Sequence, residues 1–357
     1  MNLRLSKTSR CVNFLLFVAS LSATLIFLEA VFSFWGLYEP PVPPVVTCYL
    51  NRRKEGGILS YYPNQECYQC YHRNDDEAAC FDGFTTIDGK RFDCIRYHIG
   101  TERFRTPPFS KKKDGLRIVT IGDSFTFGEG VKEKDTFPRL LEESIGIETV
   151  NIAMQGLNTR HERLILQENM QLQPDLVIVG YVLNDTMPYE ETLAMVHTSL
   201  RAARVPRVLR FSRVCAFAYA RISSLLQSRK VLTDYHYWFK RGWPDSSEEL
   251  LAIKDLCDSH KSELLLVLFP ILLKLNDRYP FLELHREIGD FARRNEINFL
   301  DLLGVYKNRK ASSLWVHELD HHPNVLAHKM ACMAICQWIK ESLPYFYDNR
   351  TTLHVAK

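Results

Sequence analysis

Short, almost wholly apolar runs alternate with longer amphipathic stretches over the second two-thirds of the chain, and this alternation limits the folds open to it. Near-continuous apolar strands are typical of parallel sheets that are buried on both faces. Amphipathic helices between such strands indicate a doubly wound α/β fold. We therefore predict a three-layer α/β/α fold, in which helices cover both faces of a parallel, flavodoxin-like five-stranded sheet. The strand candidates are residues 116–121, 149–153, 175–182, 263–269 and 297–302, and the helix candidates are residues 137–144, 159–171, 246–260, 285–295 and 324–343.

A long apolar segment near the N-terminus, residues 12–38, contains one charged residue, Glu29. About 20 such residues span a bilayer as a helix. Residues 1–11 are basic and contain no acid, which favours a cytoplasmic N-terminus. A signal peptide cleaved within residues 18–23 is the alternative, but strong apolarity continues past that point to Trp35. We expect a single-pass signal anchor, with the rest of the chain in the periplasm or outside the cell.

Five of the ten cysteines cluster between this apolar segment and the predicted α/β domain. In an oxidising compartment such a cluster forms disulfides. A zinc site is the alternative, because a Cys-x-x-Cys pair followed by two more cysteines has the spacing of thiolate ligands. The predicted export favours disulfides. We interpret residues 39–103 as a proline-rich spacer followed by a Cys-rich segment of short strands or turns. Its cysteines are Cys48, Cys67, Cys70, Cys80 and Cys94.

Charge and composition argue against two classes of ligand. The formal net charge of +3 is nearly balanced for 357 residues and gives no reason to expect a nucleic-acid partner. The α/β part has no His, Asp and Glu cluster with metal-ligand spacing, so we expect no metal and no cofactor.

The segment from about residue 187 to residue 244 is too long for a simple connection between a strand and a helix. We interpret it as a helical insertion near the mouth of the site.

Polar residues follow three of the predicted strands. Ser124 comes after the first strand, Gly156 after the second and Asn184 after the third. The carboxyl ends of parallel strands meet at one edge of a sheet, where ligands bind. A carboxylate and two imidazoles, Asp320, His321 and His322, precede the last predicted helix. A hydroxyl, an imidazole, a carboxylate and oxyanion donors are the groups that acyl transfer requires.

Four sequence blocks carry a family resemblance. They are TIGDSFTFGEGV at residues 120–131, NIAMQGLN at 151–158, GYVLND at 180–185 and DHHPN at 320–324. In order and spacing they resemble the motif blocks of the SGNH (GDSL-type) hydrolases, over about residues 116–343. The resemblance implies an SGNH hydrolase domain over residues 104–345, followed by a tail at 346–357. It also implies a serine esterase that hydrolyses acyl or acetyl esters through an acyl-enzyme.

The resemblance assigns roles to individual residues. Ser124 matches the family's nucleophile and His322 its general base. The backbone N–H groups of Ser124 and Gly156 and the side-chain amide of Asn184 match its oxyanion hole. A glycine lets the backbone approach a substrate closely, and an amide donates to an oxyanion without carrying charge.

The acid of the triad departs from the usual family spacing. The family places it three residues before the histidine, where this chain has Leu319. Asp320 lies two residues before His322, and we predict it as the orienting acid, with Glu318 as the alternative. His321 competes for the role of base, but the Pro-Asn pair after His322 matches the family motif.

For three other acidic residues near these motifs the sequence predicts no catalytic role. Asp123 is expected to stabilise a turn, and Asp185 to cap the segment that follows it. Glu129 has no partner pattern in the sequence.

Two other functions fit the same residues. SGNH-like domains also act as O-acetyltransferases on envelope polysaccharides, and a degenerate domain could serve as a non-catalytic envelope-binding module. The expected partners are an ester-bearing small molecule, a lipid or an acetylated glycan, together with the membrane through the N-terminal helix. No nucleic acid is expected.

Overall fold

The computed structural model describes residues 7–35, 45–46, 52–55, 58–72, 82–87, 90–110, 112–188, 191, 205–209 and 211–348. The proline-rich spacer, residues 1–6 and 349–357, Cys48, Cys80 and most of residues 189–204 therefore lie outside the described residues. The chain divides into two compact units. One contains Met1–Val42 with Thr198–Lys230, and the other contains Pro43–His197 with Val231–Lys357.

The smaller unit is built on helix α1, Lys7–Phe34. Its segment Val12–Phe34 has 23 residues and a hydropathy of 2.2, so it is long and apolar enough to cross a membrane, a property that anchors and signal sequences share. Glu29 is the acid of this segment, and its carboxylate accepts hydrogen bonds from the backbone N–H of Arg213 at 2.8 Å and from Ser212 Oγ at 2.7 Å. Glu29 thus caps the start of a second helix, which begins at Arg213.

The Cys-rich segment forms an antiparallel four-stranded sheet, called here the Cys-rich sheet, and a separate hairpin. A disulfide joins Cys70 to Cys94, which face each other across two paired strands of the sheet. The prediction of a disulfide is confirmed for this pair, and thiols so bonded cannot serve as zinc ligands. The strand order is β1 (Val45–Val46), β4 (Gln65–His72), β6 (Lys90–Ile99) and β5 (Gly83–Ile87), and the hairpin is β2 (Arg52–Glu55) with β3 (Ile58–Tyr61).

The centre of the larger unit is a five-stranded sheet in which every pairing is parallel, as predicted. Each strand begins and ends within two residues of its predicted bounds. The order across the sheet is β8 (Glu148–Asn151), β7 (Arg117–Gly122), β9 (Leu176–Tyr181), β10 (Glu263–Leu268) and β11 (Asn298–Asp301). Strands β7 and β9 are buried throughout, which explains why their sequences are largely apolar without alternation.

Helices cover both faces of the sheet. The strand order reverses direction across the sheet after β8. Because connections between parallel strands are right-handed as a rule, this reversal puts the following helices on the opposite face. The helices are α2 (Ser124–Phe127), α3 (Phe137–Ile145), α4 (Thr159–Asn169), α5 (Arg213–Ser259), α6 (Leu282–Arg294), α7 (Leu303–Tyr306), α8 (Val325–Ser342) and α9 (Tyr345–Asp348). Helices α3 and α8 pack together on one face. On the other, Arg163 of α4 pairs with Glu249 of α5, and Trp243 of α5 packs edge-on against Phe291 of α6.

Helix α5 is longer than the sequence indicated. The helix predicted over residues 246–260 is its last part, and α5 continues back through Pro244 to Arg213. A proline inside a helix lacks one N–H donor without necessarily ending the helix. The predicted insertion and the next helix are therefore continuous where the structure describes them.

The Cys-rich sheet shares the core of the α/β domain. Ile95, Tyr97 and Ile99 of β6 are buried in the same hydrophobic cluster as β7 and β9. Two strands near the C-terminus, β12 (Trp315–His317) and β13 (Asp320–Pro323), form a hairpin just before α8. This hairpin carries the predicted acid and base.

Candidate active site

Ser124 lies at the carboxyl end of β7, where the strand turns into the short helix α2. Gly122 makes the close approach to the neighbouring strand possible, because a Cβ there would lie 2.5 Å from the carbonyl oxygen of Gly180. Asp123 caps α2 by accepting a hydrogen bond from the backbone N–H of Phe125 at 2.8 Å. The expectation that Asp123 stabilises the turn is confirmed, and the serine is held at the edge of the sheet with 8% of its surface exposed.

His322 lies between Ser124 and Asp320. Its Nε2 is 2.8 Å from Ser124 Oγ, and its Nδ1 is 2.5 Å from Asp320 Oδ1. The backbone N–H of His322 also donates to Asp320 Oδ1, at 3.2 Å. The two-residue spacing therefore suffices, because the hairpin strand β13 lets the carboxylate reach forward to the ring of the histidine two residues later.

The other oxygen of Asp320 is held by the Cys-rich sheet. Tyr71 donates its hydroxyl to Asp320 Oδ2 at 2.8 Å, and Gln69 Nε2 donates to the same oxygen at 3.2 Å. The sequence did not indicate either residue as part of the site. Neither carries a motif, and their only sequence mark is that they flank Cys70.

Burial and neighbouring charges oppose each other at the His322–Asp320 pair. Burial raises the pKa of the Asp320 carboxyl, but the charge of His322 and the hydrogen bonds from His322 and Tyr71 outweigh it, so that this pKa is lowered. Burial lowers the pKa of His322, but the carboxylates of Asp320 and Glu129 outweigh it and raise this pKa. The arrangement keeps Asp320 ionised and stabilises the imidazolium that forms when His322 accepts a proton.

The alternative acid and base lie elsewhere. The ring of His321 stacks on Trp315 with centroids 3.8 Å apart, and its Nε2 lies 3.3 Å from the carbonyl oxygen of Glu318. His321 is exposed, and Glu318 is exposed as well. The structure thus brings His322 rather than His321 to Ser124, and Asp320 rather than Glu318 to the imidazole.

Glu129 is a site residue that the sequence did not indicate. Its Oε2 lies 3.8 Å from His322 Nε2, on the side of the ring that faces Ser124. Glu129 follows α2 in a loop that Arg105 holds in place. The buried guanidinium of Arg105 donates to the carbonyl oxygens of Phe127 at 3.0 Å and of Gly128 and Val131 at 2.5 Å each.

The two other predicted oxyanion donors follow β8 and β9. Gly156 lies in the turn after β8 with φ +65°, the left-handed conformation that favours glycine. Asn184 lies in a short 3₁₀ helix, Leu183–Thr186, directly after β9. Asp185, in the same turn, accepts a hydrogen bond from the backbone N–H of Val182 at 2.7 Å and so caps this segment.

One group of His, Asp and Glu side chains among the described residues lies close enough to hold a metal ion. Its members are Glu129, Asp320 and His322, with ligand atoms within 4.8 Å of one another. Both ring nitrogens of His322 have hydrogen-bond partners in Ser124 and Asp320. The donor set therefore fits proton transfer to the serine better than metal ligation.

The fold is similar to those of several solved structures. A lipolytic protein of the G-D-S-L family from Desulfitobacterium hafniense is 16% identical, with 62% of this chain and 99% of that chain covered and a TM-score of 0.40. TesA is 14% identical, with 63% of this chain and 99% of that chain covered and a TM-score of 0.41. Esterase EstA from Pseudoalteromonas, inhibited by monoethylphosphonate, is 14% identical, with 63% of this chain and 100% of that chain covered and a TM-score of 0.38. No family model and no curated protein sequence matches the chain.

Proposed function

We propose that this protein is a serine hydrolase of the SGNH type that cleaves carboxylic esters through an acyl-enzyme. One observation carries the proposal, namely that His322 joins Ser124 Oγ at 2.8 Å to Asp320 Oδ1 at 2.5 Å. A serine hydroxyl is a weak nucleophile unless a base accepts its proton, and the base needs a group that fixes its ring. All three groups are in contact here.

The reaction begins when Ser124 Oγ attacks the ester carbonyl and its proton passes to His322 Nε2. Asp320 holds the imidazolium through Nδ1. The tetrahedral oxyanion accepts hydrogen bonds from the backbone N–H groups of Ser124 and Gly156 and from the amide of Asn184. The leaving alcohol then takes the proton from Nε2. A water molecule attacks the acyl-enzyme by the same route and releases the acid.

The protein acts outside the cytoplasm in this proposal. Helix α1 anchors it in the membrane, and the remainder faces the periplasm or the cell exterior. The disulfide between Cys70 and Cys94 supports an oxidising compartment. The substrate is an acyl or acetyl ester on a small molecule, a lipid or a glycan.

The test compares the full-length protein in detergent with two serine variants. Ser124→Ala should lower the turnover of p-nitrophenyl acetate by at least about 10³-fold and abolish labelling by a fluorophosphonate. Ser259→Ala is the matched control, because Ser259 is an exposed serine at the end of α5 whose hydroxyl contacts two nearby groups, the carbonyl oxygen of Leu256 and Nδ1 of His260. It should leave both readouts unchanged.

Unchanged turnover in Ser124→Ala would refute the proposal. Product analysis with an acetyl donor and an added polysaccharide extends the test, since free acetate indicates hydrolysis and an acetylated sugar indicates transfer. Failure of the folded wild-type protein to turn over any ester or to label would favour a binding module.

A further inference from the structure

Asp320 has two carboxylate oxygens, and the proposed mechanism uses one of them. Oδ1 faces His322, whereas Oδ2 accepts hydrogen bonds from Tyr71 and Gln69 of β4. Both donors are almost fully buried, with 0% of Tyr71 and 6% of Gln69 exposed. Solvent therefore does not compete strongly for Oδ2, and the two side chains determine how the carboxylate lies.

A chain of hydrogen bonds fixes the direction of each donor. The backbone N–H of Gly130 donates to Tyr97 Oη at 2.8 Å, and Tyr97 donates its hydroxyl to Gln69 Oε1 at 2.7 Å. Because the amide oxygen of Gln69 is engaged in this way, its Nε2 faces Tyr71 Oη at 2.8 Å as well as Asp320. Tyr71 accepts from Gln69, so its own hydrogen is directed at Asp320.

Two features hold this network against the hairpin. Cys70 lies between Gln69 and Tyr71 in sequence, and its disulfide to Cys94 joins β4 to β6 at this level. Gly130 allows the close approach, because a Cβ there would lie 2.9 Å from Tyr71 Oη and 2.7 Å from Val316 Cγ1. The donors thus reach the hairpin from a rigid sheet, over a glycine in the loop that also carries Glu129.

We propose that Tyr71, oriented by Gln69 and Tyr97, is a positioning residue of the active site, and that the Cys-rich sheet is part of the catalytic machinery. The inference rests on the proposed function. Tyr71 holds the plane of the Asp320 carboxylate so that Oδ1 meets His322 Nδ1. Its hydrogen bond also draws negative charge toward Oδ2 and moderates the pull of the carboxylate on the imidazolium.

The test is Tyr71→Phe, which removes one hydroxyl and keeps the ring. We expect kcat for p-nitrophenyl acetate to fall about tenfold with little change in KM, as for loss of a hydrogen bond to a charged group. The acid limb of kcat/KM should move to higher pH, because Asp320 then attracts the imidazolium more strongly. The other carboxylates that raise the pKa of His322, Glu129 and Asp123, remain in the variant, as do the neighbouring imidazoles of His321 and His328.

Tyr306→Phe is the matched control. Tyr306 is fully buried and donates its hydroxyl to the carbonyl oxygen of Ala327 at 2.9 Å, away from Asp320. Its variant should lose stability in thermal unfolding without a shift of the pH profile. A second variant, Gln69→Leu, should move the pH profile in the same direction as Tyr71→Phe.

The outcomes separate the two proposals. The positioning role is wrong, and the hydrolase stands, if Ser124→Ala is inactive while folded Tyr71→Phe keeps kcat within twofold of wild type and its acid limb lies at the same pH as that of wild type. If Ser124→Ala keeps its activity, the proposed function itself is wrong. A parallel loss in Tyr71→Phe and Tyr306→Phe without a pH shift would reduce Tyr71 to a structural role and overturn the inference.

Discussion

Nδ2 of Asn184 lies 2.7 Å from Oδ2 of Asp123, a carboxylate that is fully buried. A side-chain amide has two N–H donors. The bond to Asp123 uses one of them and fixes the plane of the amide before a substrate arrives. Burial raises the pKa of Asp123, against the donors from Asn184 and Phe125 that lower it. The two residues therefore form a preset pair beside Ser124.

Asn184→Ala should lower kcat by about 10²–10³-fold with little change in KM, because an oxyanion donor acts mainly in the transition state. Steady-state kinetics on a short acyl ester measures both constants. Asn298→Ala is the control, since Asn298 lies on β11 and donates to the carbonyl oxygen of Leu264 at the amino edge of the sheet. Equal kinetics in the two variants would remove Asn184 from the oxyanion hole.

Asp320→Asn should lower kcat by about 10²–10⁴-fold while the protein stays folded, because an amide cannot hold the imidazolium and can favour the wrong ring tautomer. Glu318→Gln should have no effect on kcat, since its side chain is exposed. Kinetics and circular dichroism of both variants check this. A large loss in Glu318→Gln alone would assign the acid to Glu318.

The acid limb of kcat/KM should lie above the ordinary pKa of histidine, because Asp320 and Glu129 raise the pKa of His322 against the effect of burial. Below that pKa the base is protonated, and activity falls. Glu129→Gln removes one of the carboxylates that raise this pKa and should move the limb to lower pH by about one unit. Glu318→Gln is the charge-matched control. An unmoved limb in Glu129→Gln would separate Glu129 from the titration of His322.

Gly242→Ala should weaken both stability and activity. Gly242 lies on α5 directly against the turn that carries Asn184, and a Cβ there would overlap the carbonyl oxygen of Thr186. Overpacking of this kind costs about 1–3 kcal/mol, and the turn would have to shift. Thermal unfolding and kcat measure the two effects. Gly304→Ala is the control, because a Cβ there meets nothing within 4 Å.

Replacing Cys70 and Cys94 together with serine should lower the free energy of unfolding by about 3 kcal/mol, since the disulfide closes a loop with a sequence separation of 24. Denaturant unfolding gives this value. The double variant should also lower kcat, because Gln69 and Tyr71 flank Cys70. Full activity in a folded double variant would show that the strands hold the two donors without the bond.

The fold could be predicted from the sequence because β7, β9 and β10 are buried strands, and each of them appears in the sequence as a local apolar run. The placement of Ser124 and Asn184 at one edge followed from the same pattern, and their catalytic roles stay predictions. Glu129 and Tyr71 were missed because their contacts with His322 and Asp320 arise from loop and sheet packing, which leaves no periodicity. The full length of α5 was not predicted because Pro244 lies inside it, and a proline in a sequence usually indicates the end or the start of a helix.

The bond between Tyr71 and Asp320 spans 249 positions of the chain. Contacts of such long range form late in folding, because the intervening chain must be ordered first. Synthesis proceeds from the N-terminus, so β4 and β6 are made long before the hairpin that brings Asp320 and His322. The proposed hydrolase activity would therefore appear only when the hairpin has been synthesised and has folded against β4. A chain that ends before Trp315 would be inactive.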